Sequence, residues 1–95
     1  MKTQDKFKFR LFVDGKSANA VQAIANLNKL CLEQLPDRHE VEIVDVTLEP
    51  KRALADGILL TPTLVKLAPM PVRKVVGTLS QLKPLLLALG LPSVP

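Results

Sequence analysis

The chain has few side chains that could do chemistry, and the first of them is its single cysteine. Thiol–disulfide exchange needs an activated thiolate with a resolving partner, normally at the start of the first helix after the first strand. That part of the sequence, residues 14–19, holds no cysteine. Cys31 falls instead in the middle of an apolar helical face, where a cysteine is typical of a small buried hydrophobic residue. The sequence therefore argues against a redox enzyme, and one cysteine excludes a disulfide within the chain.

The remaining candidates for acid–base or metal chemistry are isolated. His39 is the single histidine and lies in a polar turn, so a second imidazole for a histidine-based metal site is missing. Asp45 lies in a predicted strand, where a buried carboxylate could act as a general acid, but a structural acid at a strand end is the simpler interpretation. The four glycines stand singly and form no phosphate loop. We therefore predict no catalytic residue, no metal and no cofactor.

The amino half of the chain has the pattern of a strand, a helix and a second strand. Apolar and polar residues alternate over residues 7–13, which is the period of a half-buried strand. Ser17 is placed to cap a helix whose apolar face continues to Leu35. Residues 41–46 predict the next strand. These three elements form a βαβ unit with parallel strands.

The carboxyl half predicts a short helix, two strands and a last helix. Pro50 opens the short helix at its first turn. Strands over residues 63–67 and 72–76 are joined by a proline-rich turn that is too short for a crossover, so they are antiparallel. The last helix covers residues 82–89, and Gly90 follows it as a left-handed cap.

One proline completes the fold prediction. Pro62 cannot donate to a sheet, so it must lie at a strand entrance, and it is a candidate for the cis isomer. A βαβ unit followed by such a proline and a hairpin is how the thioredoxin-like fold closes. We predict one α/β domain over residues 1–95, a thioredoxin-like βαβαββα fold with a four-stranded mixed sheet and helices on both faces. Residues 1–6 and 91–95 are expected to be flexible.

Composition narrows the class of protein further. The net charge is +4 but the basic residues are scattered, and the three phenylalanines, all on the first strand, are the only aromatic residues. Stacking on nucleic-acid bases needs exposed aromatic platforms. No apolar run approaches the roughly 20 residues of a membrane span, and the polar amino end lacks the apolar region of a signal peptide. We expect a cytoplasmic protein that binds neither nucleic acid nor membrane.

The surface best suited to a partner protein is the predicted hairpin. The basic residues Lys66, Arg73 and Lys74 flank a turn that contains Pro69 and Pro71. A rigid turn loses little entropy on docking, and arginine can bind a carboxylate with two hydrogen bonds. Alternatively, these charges keep an edge hairpin from pairing with other chains. The residues alone leave both interpretations open.

Over nearly its whole length the chain resembles the KaiB family of bacterial clock proteins. The most specific matching segments are Thr-Pro-Thr-Leu at residues 61–64 and Pro-Met-Pro-Val-Arg-Lys at residues 69–74. Further matches cover residues 9–15, 44–46 and 77–80.

This resemblance implies a non-enzymatic regulator that binds the N-terminal ATPase ring of KaiC, a hexameric ATPase, in circadian timing or a related stress response. Family members also capture KaiA or compete with a sensor histidine kinase. They self-associate in a tetrameric ground state and bind KaiC in a thioredoxin-like form. By matching position, Lys66 and Arg73 would belong to the KaiC-facing surface, with Pro69, Pro71 and Lys74 beside them.

Two positions of the last helix depart from the family pattern. Ala88 and Gly90 stand where members often carry glycine and aspartate. Alanine in place of glycine stabilises a helix by roughly 0.5–1 kcal/mol, and a glycine cap permits the left-handed conformation. Both changes favour the thioredoxin-like form over the ground state, so we expect this chain to rest mainly in that form.

A third departure concerns the exposed positions of the second strand. Glu40 and Glu42 occupy positions where better-known members contact KaiA with small or basic residues, so this resemblance disfavours KaiA as a partner. Two alternatives to a KaiC regulator stay open. One is a free-standing sensor-type thioredoxin-like domain, akin to the input domain of a clock histidine kinase. The other, against the cysteine pattern, is a redox protein.

Overall fold

A computed structural model describes residues 6–92 of the chain. Seven elements follow one another in the predicted order. They are β1 (Phe7–Val13), α1 (Ala18–Gln34), β2 (His39–Asp45), α2 (Pro50–Ala55), β3 (Thr63–Ala68), β4 (Arg73–Val76) and α3 (Leu82–Leu89).

The strands form one mixed sheet in the order β2-β1-β3-β4. β1 pairs with β2 in parallel, whereas the β1–β3 and β3–β4 pairs are antiparallel. This arrangement confirms the predicted thioredoxin-like fold with its four-stranded mixed sheet. It also leaves β2 and β4 as the two edge strands, with β1 and β3 between them.

Alternation along β1 sends its side chains into two cores. Phe7, Phe9 and Leu11 pack with α1 and α3 in the larger core. Phe12 points to the opposite face, where it joins a smaller core with Ala53 of α2. The helices therefore lie on both faces of the sheet, as predicted, with α2 on the face opposite α1 and α3.

The predicted helix ends are confirmed in atomic detail. The Ser17 hydroxyl accepts a hydrogen bond from the Ala20 amide at 3.1 Å, which caps α1. Gly90 adopts the left-handed conformation with φ 75° at the end of α3. Directly after it, the Leu91 amide donates to the Leu86 carbonyl at 2.8 Å and the Leu91 side chain is buried. The expected flexibility of residues 1–5 and 93–95 lies outside the described residues.

The starts of two strands differ from the prediction, and the ends of β2 and β3 differ from it by one residue each. β2 begins at His39 rather than at residue 41, because β1 pairs with it along its full length, from Phe7 with His39 to Val13 with Asp45. Backbone pairing with β1 therefore extends β2 through His39 and Glu40, two polar residues that do not by themselves predict a strand. β4 begins at Arg73 rather than at residue 72, because its ladder with β3 ends at the pair of Lys66 with Arg73.

Candidate functional site

The hairpin of β3 and β4 presents its turn and its outer strand to solvent. Met70 is 76% exposed at the tip of the turn, between Pro69 and Pro71, and both proline peptide bonds are cis. Arg73 and Lys74 follow on β4 and are exposed. The structure therefore places four of the five predicted partner-binding residues at accessible positions of the turn and outer strand, and these four are here called the hairpin surface (Pro69, Pro71, Arg73 and Lys74).

Lys66, the fifth predicted residue, is not part of that surface. It is 4% exposed, and its ammonium donates to the Leu89 carbonyl at 3.4 Å and lies 5.8 Å from the centre of the Phe7 ring. The reason is that β3 is a central strand and that Lys66 points from it to the face of the sheet that α3 covers, between the end of α3 and the Phe7 ring. Burial lowers the pKa of the Lys66 ammonium, and the charge of Arg73 lowers this pKa further.

The two exposed cations of β4 differ in their surroundings. Among the ion pairs of residues 6–92, none involves Arg73 or Lys74. The Lys74 ammonium donates to the Asp56 carbonyl at 2.6 Å, just after the end of α2. Lys74 is therefore fixed over the smaller core, whereas the Arg73 guanidinium is available to a carboxylate from outside.

Pro62 stands at the entrance of β3, where the sequence placed it. The peptide bond between Thr61 and Pro62 is cis. The Pro62 carbonyl accepts a hydrogen bond from the Gly77 amide at 2.9 Å, which closes the hairpin at its open end. The Thr63 hydroxyl donates to the Leu60 carbonyl at 2.6 Å and fixes the preceding loop.

The acidic residues of β2 are neutralised within the molecule. Glu40 lies 3.1 Å from the Lys6 ammonium. Glu42 accepts hydrogen bonds from Arg52 at 2.7 and 2.8 Å and from Arg10 at 2.9 Å. These bonds, those of Arg52 first, lower the pKa of Glu42 to about 2. The β2 edge is therefore a charge-paired surface rather than an acidic one.

An apolar hollow beside α2 was missed by the sequence analysis. It has a volume of about 370 Å³ and is lined by Val46, Pro50, Leu54, Ile58 and Leu59, among others. Leu54 is 77% exposed and Leu59 is 92% exposed. The signal that could have found this hollow is the apolar run at residues 58–60, which belongs to no helix or strand.

The residues considered for chemistry are structural. Cys31 is 1% exposed, and burial raises the pKa of its thiol to about 11, so a reactive thiolate does not form near neutral pH. The Asp45 carboxylate accepts hydrogen bonds from Thr47 and from the Gly15 amide at 2.9 Å, which ties the end of β2 to the loop after β1. His39 Nδ1 lies 2.7 Å from the Leu35 carbonyl oxygen.

Within residues 6–92, no group of three or more histidine, cysteine or acidic side chains is arranged to hold a metal ion. Over the same part of the chain, no helix has the length and apolar character needed to cross a bilayer.

The KaiB domain family matches residues 10–91, which include every element except the first residues of β1. The chain belongs to the KaiB family. The circadian clock protein KaiB3 of Synechocystis sp. is 41% identical over 91 residues, covering 96% of this chain and 87% of that protein. The circadian clock oscillator protein KaiB of Cyanothece sp. is 36% identical over 85 residues, covering 90% of this chain and 81% of that protein. These relatives support a regulatory role in a clock.

Solved structures confirm the fold independently of sequence. The N-terminal domain of SasA from Synechococcus elongatus superimposes with a TM-score of 0.75 at 17% identity, covering 100% of this chain and 93% of that domain. Mitochondrial thioredoxin 3 of Saccharomyces cerevisiae gives a TM-score of 0.68 at 19% identity, covering 93% of this chain and 78% of that protein. At these identities the likeness concerns the thioredoxin-like fold alone.

Proposed function

We propose that this KaiB-family chain is a non-enzymatic regulator that docks on the N-terminal ATPase ring of a KaiC-type hexameric ATPase and modulates its phosphorylation or output. The family match carries this proposal, and the accessible hairpin surface supports it. The turn around Pro69 and Pro71 is rigid, so little conformational entropy is lost on docking. Arg73, with no ion-pair partner among the described residues, can bind a carboxylate of the ring with two hydrogen bonds.

The hairpin surface continues into the apolar hollow. The Lys74 ammonium lies against the end of α2, since it donates to the Asp56 carbonyl. It also lies beside Gly57, 3.4 Å from the position that a Cβ atom would take on that residue. Leu54 and Ile58, which line the hollow, stand next to these residues in sequence. An apolar centre with a charged rim is the usual anatomy of a protein interface. We include the hollow in the docking surface.

Charge reversal on β4 tests the proposal. We expect the double variant Arg73→Glu, Lys74→Glu to bind the cognate ATPase ring at least about tenfold more weakly, because charge repulsion replaces attraction at the interface. The matched control is Lys16→Glu with Lys29→Glu, two exposed lysines away from the hairpin, which leaves the affinity within about twofold. Binding is measured by calorimetry on folded variants. Equal affinities of the two double variants would remove the hairpin surface from the proposal.

Lys66 is left unchanged in this test for a physical reason. A glutamate at that buried position would lose the contacts of Lys66 with the Leu89 carbonyl and the Phe7 ring, so the variant would lose stability as well as any binding. Loss of binding in such a variant would therefore carry no information on the docking surface.

A second candidate function is a sensor-type domain akin to the input domain of a clock histidine kinase. The fold likeness to the SasA N-terminal domain favours it. The activity of the ATPase distinguishes the two: a KaiC regulator changes the phosphorylation state or the ATP-hydrolysis rate of the ring on binding, whereas a sensor-type domain binds and leaves both unchanged. KaiA is not expected to bind through β2. Glu40 forms an ion pair with Lys6, and Glu42 forms ion pairs with Arg10 and Arg52.

A further inference from the structure

A second surface lies on the other side of β4, toward α3. β4 is an edge strand, and α3 lies beside it. Between them is an open groove of about 580 Å³, whose wall includes Pro84, Leu85 and Ala88 of α3. A groove between a sheet edge and a helix is the geometry in which an extended peptide can add to a sheet as a further strand.

Within residues 6–92, the outer edge of β4 pairs with no further strand. In an antiparallel ladder, residues that exchange backbone hydrogen bonds with the partner strand alternate with residues that do not. The Gly77 amide donates to the Pro62 carbonyl, so Val75, two residues earlier, also faces β3. The backbone N–H and C=O groups of Lys74 and Val76 therefore face away from β3 and toward the open edge.

The two faces of an added strand would meet different side chains. Val75 packs on the larger core, on the α3 side of the sheet. Side chains of an added strand on that side would contact the apolar wall formed by Pro84 and Ala88. On the opposite side they would lie beside Lys74 and Val76, both of which are exposed.

Charge indicates what kind of peptide fits. Residues 57–95 contain no aspartate or glutamate, and their charged side chains are all basic, namely Lys66, Arg73, Lys74 and Lys83. All ion pairs of the described residues join positions between Lys6 and Asp56. The β2 edge is neutralised, and the β4 edge is cationic without internal compensation. An acidic segment is complementary to it.

We propose that the groove between β4 and α3 binds an extended acidic segment of a partner protein as a fifth strand, with small apolar side chains at alternate positions facing α3. This site is additional to the docking surface proposed above. The two share Lys74, but the groove lies on the α3 side of the sheet and the apolar hollow lies on the α2 side. Peptide binding can therefore be tested without any ATPase.

The probe is a short synthetic peptide of alternating glutamate and valine, titrated into the full chain and followed by amide NMR. At saturation we expect hydrogen exchange of the Lys74 and Val76 amides to slow by at least about tenfold, as in a paired strand. The matched peptide with lysine in place of glutamate does not bind. Absence of protection at these two amides, or equal binding of both peptides, would overturn the site.

Two variants and two modified peptides separate strand addition from simple charge attraction. Lys74→Glu weakens binding of the acidic peptide by about tenfold, whereas Lys16→Glu, the same charge change far from the groove, alters it by less than about twofold. N-methylation of one alternate set of peptide amides abolishes binding, and methylation of the other set leaves it intact. If neither set matters, the peptide is not a strand and the proposal fails.

The competing occupant is a second copy of this chain, pairing through the same edge. Sedimentation of the chain without peptide distinguishes it. We expect a monomer at the concentration of the titration, with Lys74 and Val76 amides that exchange freely. Oligomers in which these amides are already protected would show that the groove is an interface between copies, and would overturn the proposal of an acidic partner segment.

Discussion

Lys66 is a charged residue that the fold buries. It is the one charged residue in the buried set of residues 6–92. No carboxylate among residues 6–92 forms an ion pair with it, and its contacts there are the Leu89 carbonyl at the end of α3 and the face of the Phe7 ring. A helix C-terminus and an aromatic face both attract a cation. Lys66 therefore contributes to the attachment of α3 while it carries a desolvation cost.

The first prediction concerns the balance of these two effects. We expect Lys66→Met to raise the free energy of unfolding by about 1 kcal/mol at neutral pH, because an apolar side chain of similar length removes the buried charge. Chemical denaturation measures this change. Lys83→Met, at an exposed position of α3, is the control and changes stability by less than about 0.5 kcal/mol.

The pH dependence gives the same prediction a second readout. The pKa of Lys66 is lowered in the folded state, so the native chain releases this proton at lower pH than the unfolded chain does. Between the two pKa values the unfolded chain binds more protons, and stability rises with pH up to the ordinary lysine pKa of about 10.4. We expect the native chain to gain stability in this alkaline window and Lys66→Met to lack that gain. A parallel pH profile in both would contradict the assignment.

Among the helices, α3 depends for its stability on two small residues, Ala88 and Gly90. Ala88 lies within the helix and Gly90 ends it in the left-handed conformation, where a side chain is strained. The Leu91 amide then bonds back to the Leu86 carbonyl and the Leu91 side chain enters the larger core. This ending holds α3 on the sheet, and it depends on glycine at the cap.

The second prediction concerns the replacement of Ala88 and Gly90 by the residues that family members often carry there. Ala88→Gly and Gly90→Asp each cost α3 about 1 kcal/mol, so together they shift an equilibrium between two folds by roughly thirtyfold. We expect a second set of amide NMR signals for residues beyond Gly77 in the double variant, while the parent shows one dominant set. Ala25→Gly, the same substitution at an exposed position of α1, lowers stability without producing the second set. A parent spectrum dominated by another topology would refute the expected resting form.

Most elements could be predicted because their signals are local. The alternation in β1, the serine cap of α1 and the glycine that ends α3 each determine structure within a few residues. The start of β2 could not be predicted, since pairing with β1 rather than residue preference extends it to His39.

The site was less predictable than the fold because it depends on the strand order. Lys66 was expected at the surface, and only its place on a central strand, between β1 and β4, shows that it is buried. Likewise, nothing local indicates that Glu42 meets Arg10 and Arg52, which are distant in sequence. Arg73 and Lys74 were predicted correctly to be exposed, because an edge strand next to a short turn has one uncovered side.

Over the whole molecule, charge is divided between two parts of the chain. Residues 1–56 contain nine acidic and nine basic residues, and the net charge of +4 therefore comes from residues 57–95. In the amino part the charges cancel in sum, and all ion pairs of the described residues lie there, among them those of Glu42 with Arg10 and Arg52. In the carboxyl part Lys66 is buried, whereas Arg73, Lys74 and Lys83 are exposed and form no ion pair among the described residues. Such a field accelerates association with an acidic surface more than it strengthens the final complex.

The third prediction follows from this division. If the chain docks on an ATPase ring as proposed, we expect the rate of association to fall by about tenfold between low and high salt, because salt screens the attraction of the cationic part to an acidic partner surface. The variant Arg73→Glu, Lys74→Glu has a flatter salt dependence, since two of the exposed cations are reversed. The control Lys16→Glu, Lys29→Glu keeps the parent's slope although it has the same net charge as the first variant. Stopped-flow or surface-binding kinetics measure the association rates. An identical salt dependence of the rate in the two double variants would contradict the prediction, because it would mean that association depends on net charge and not on where the charge lies.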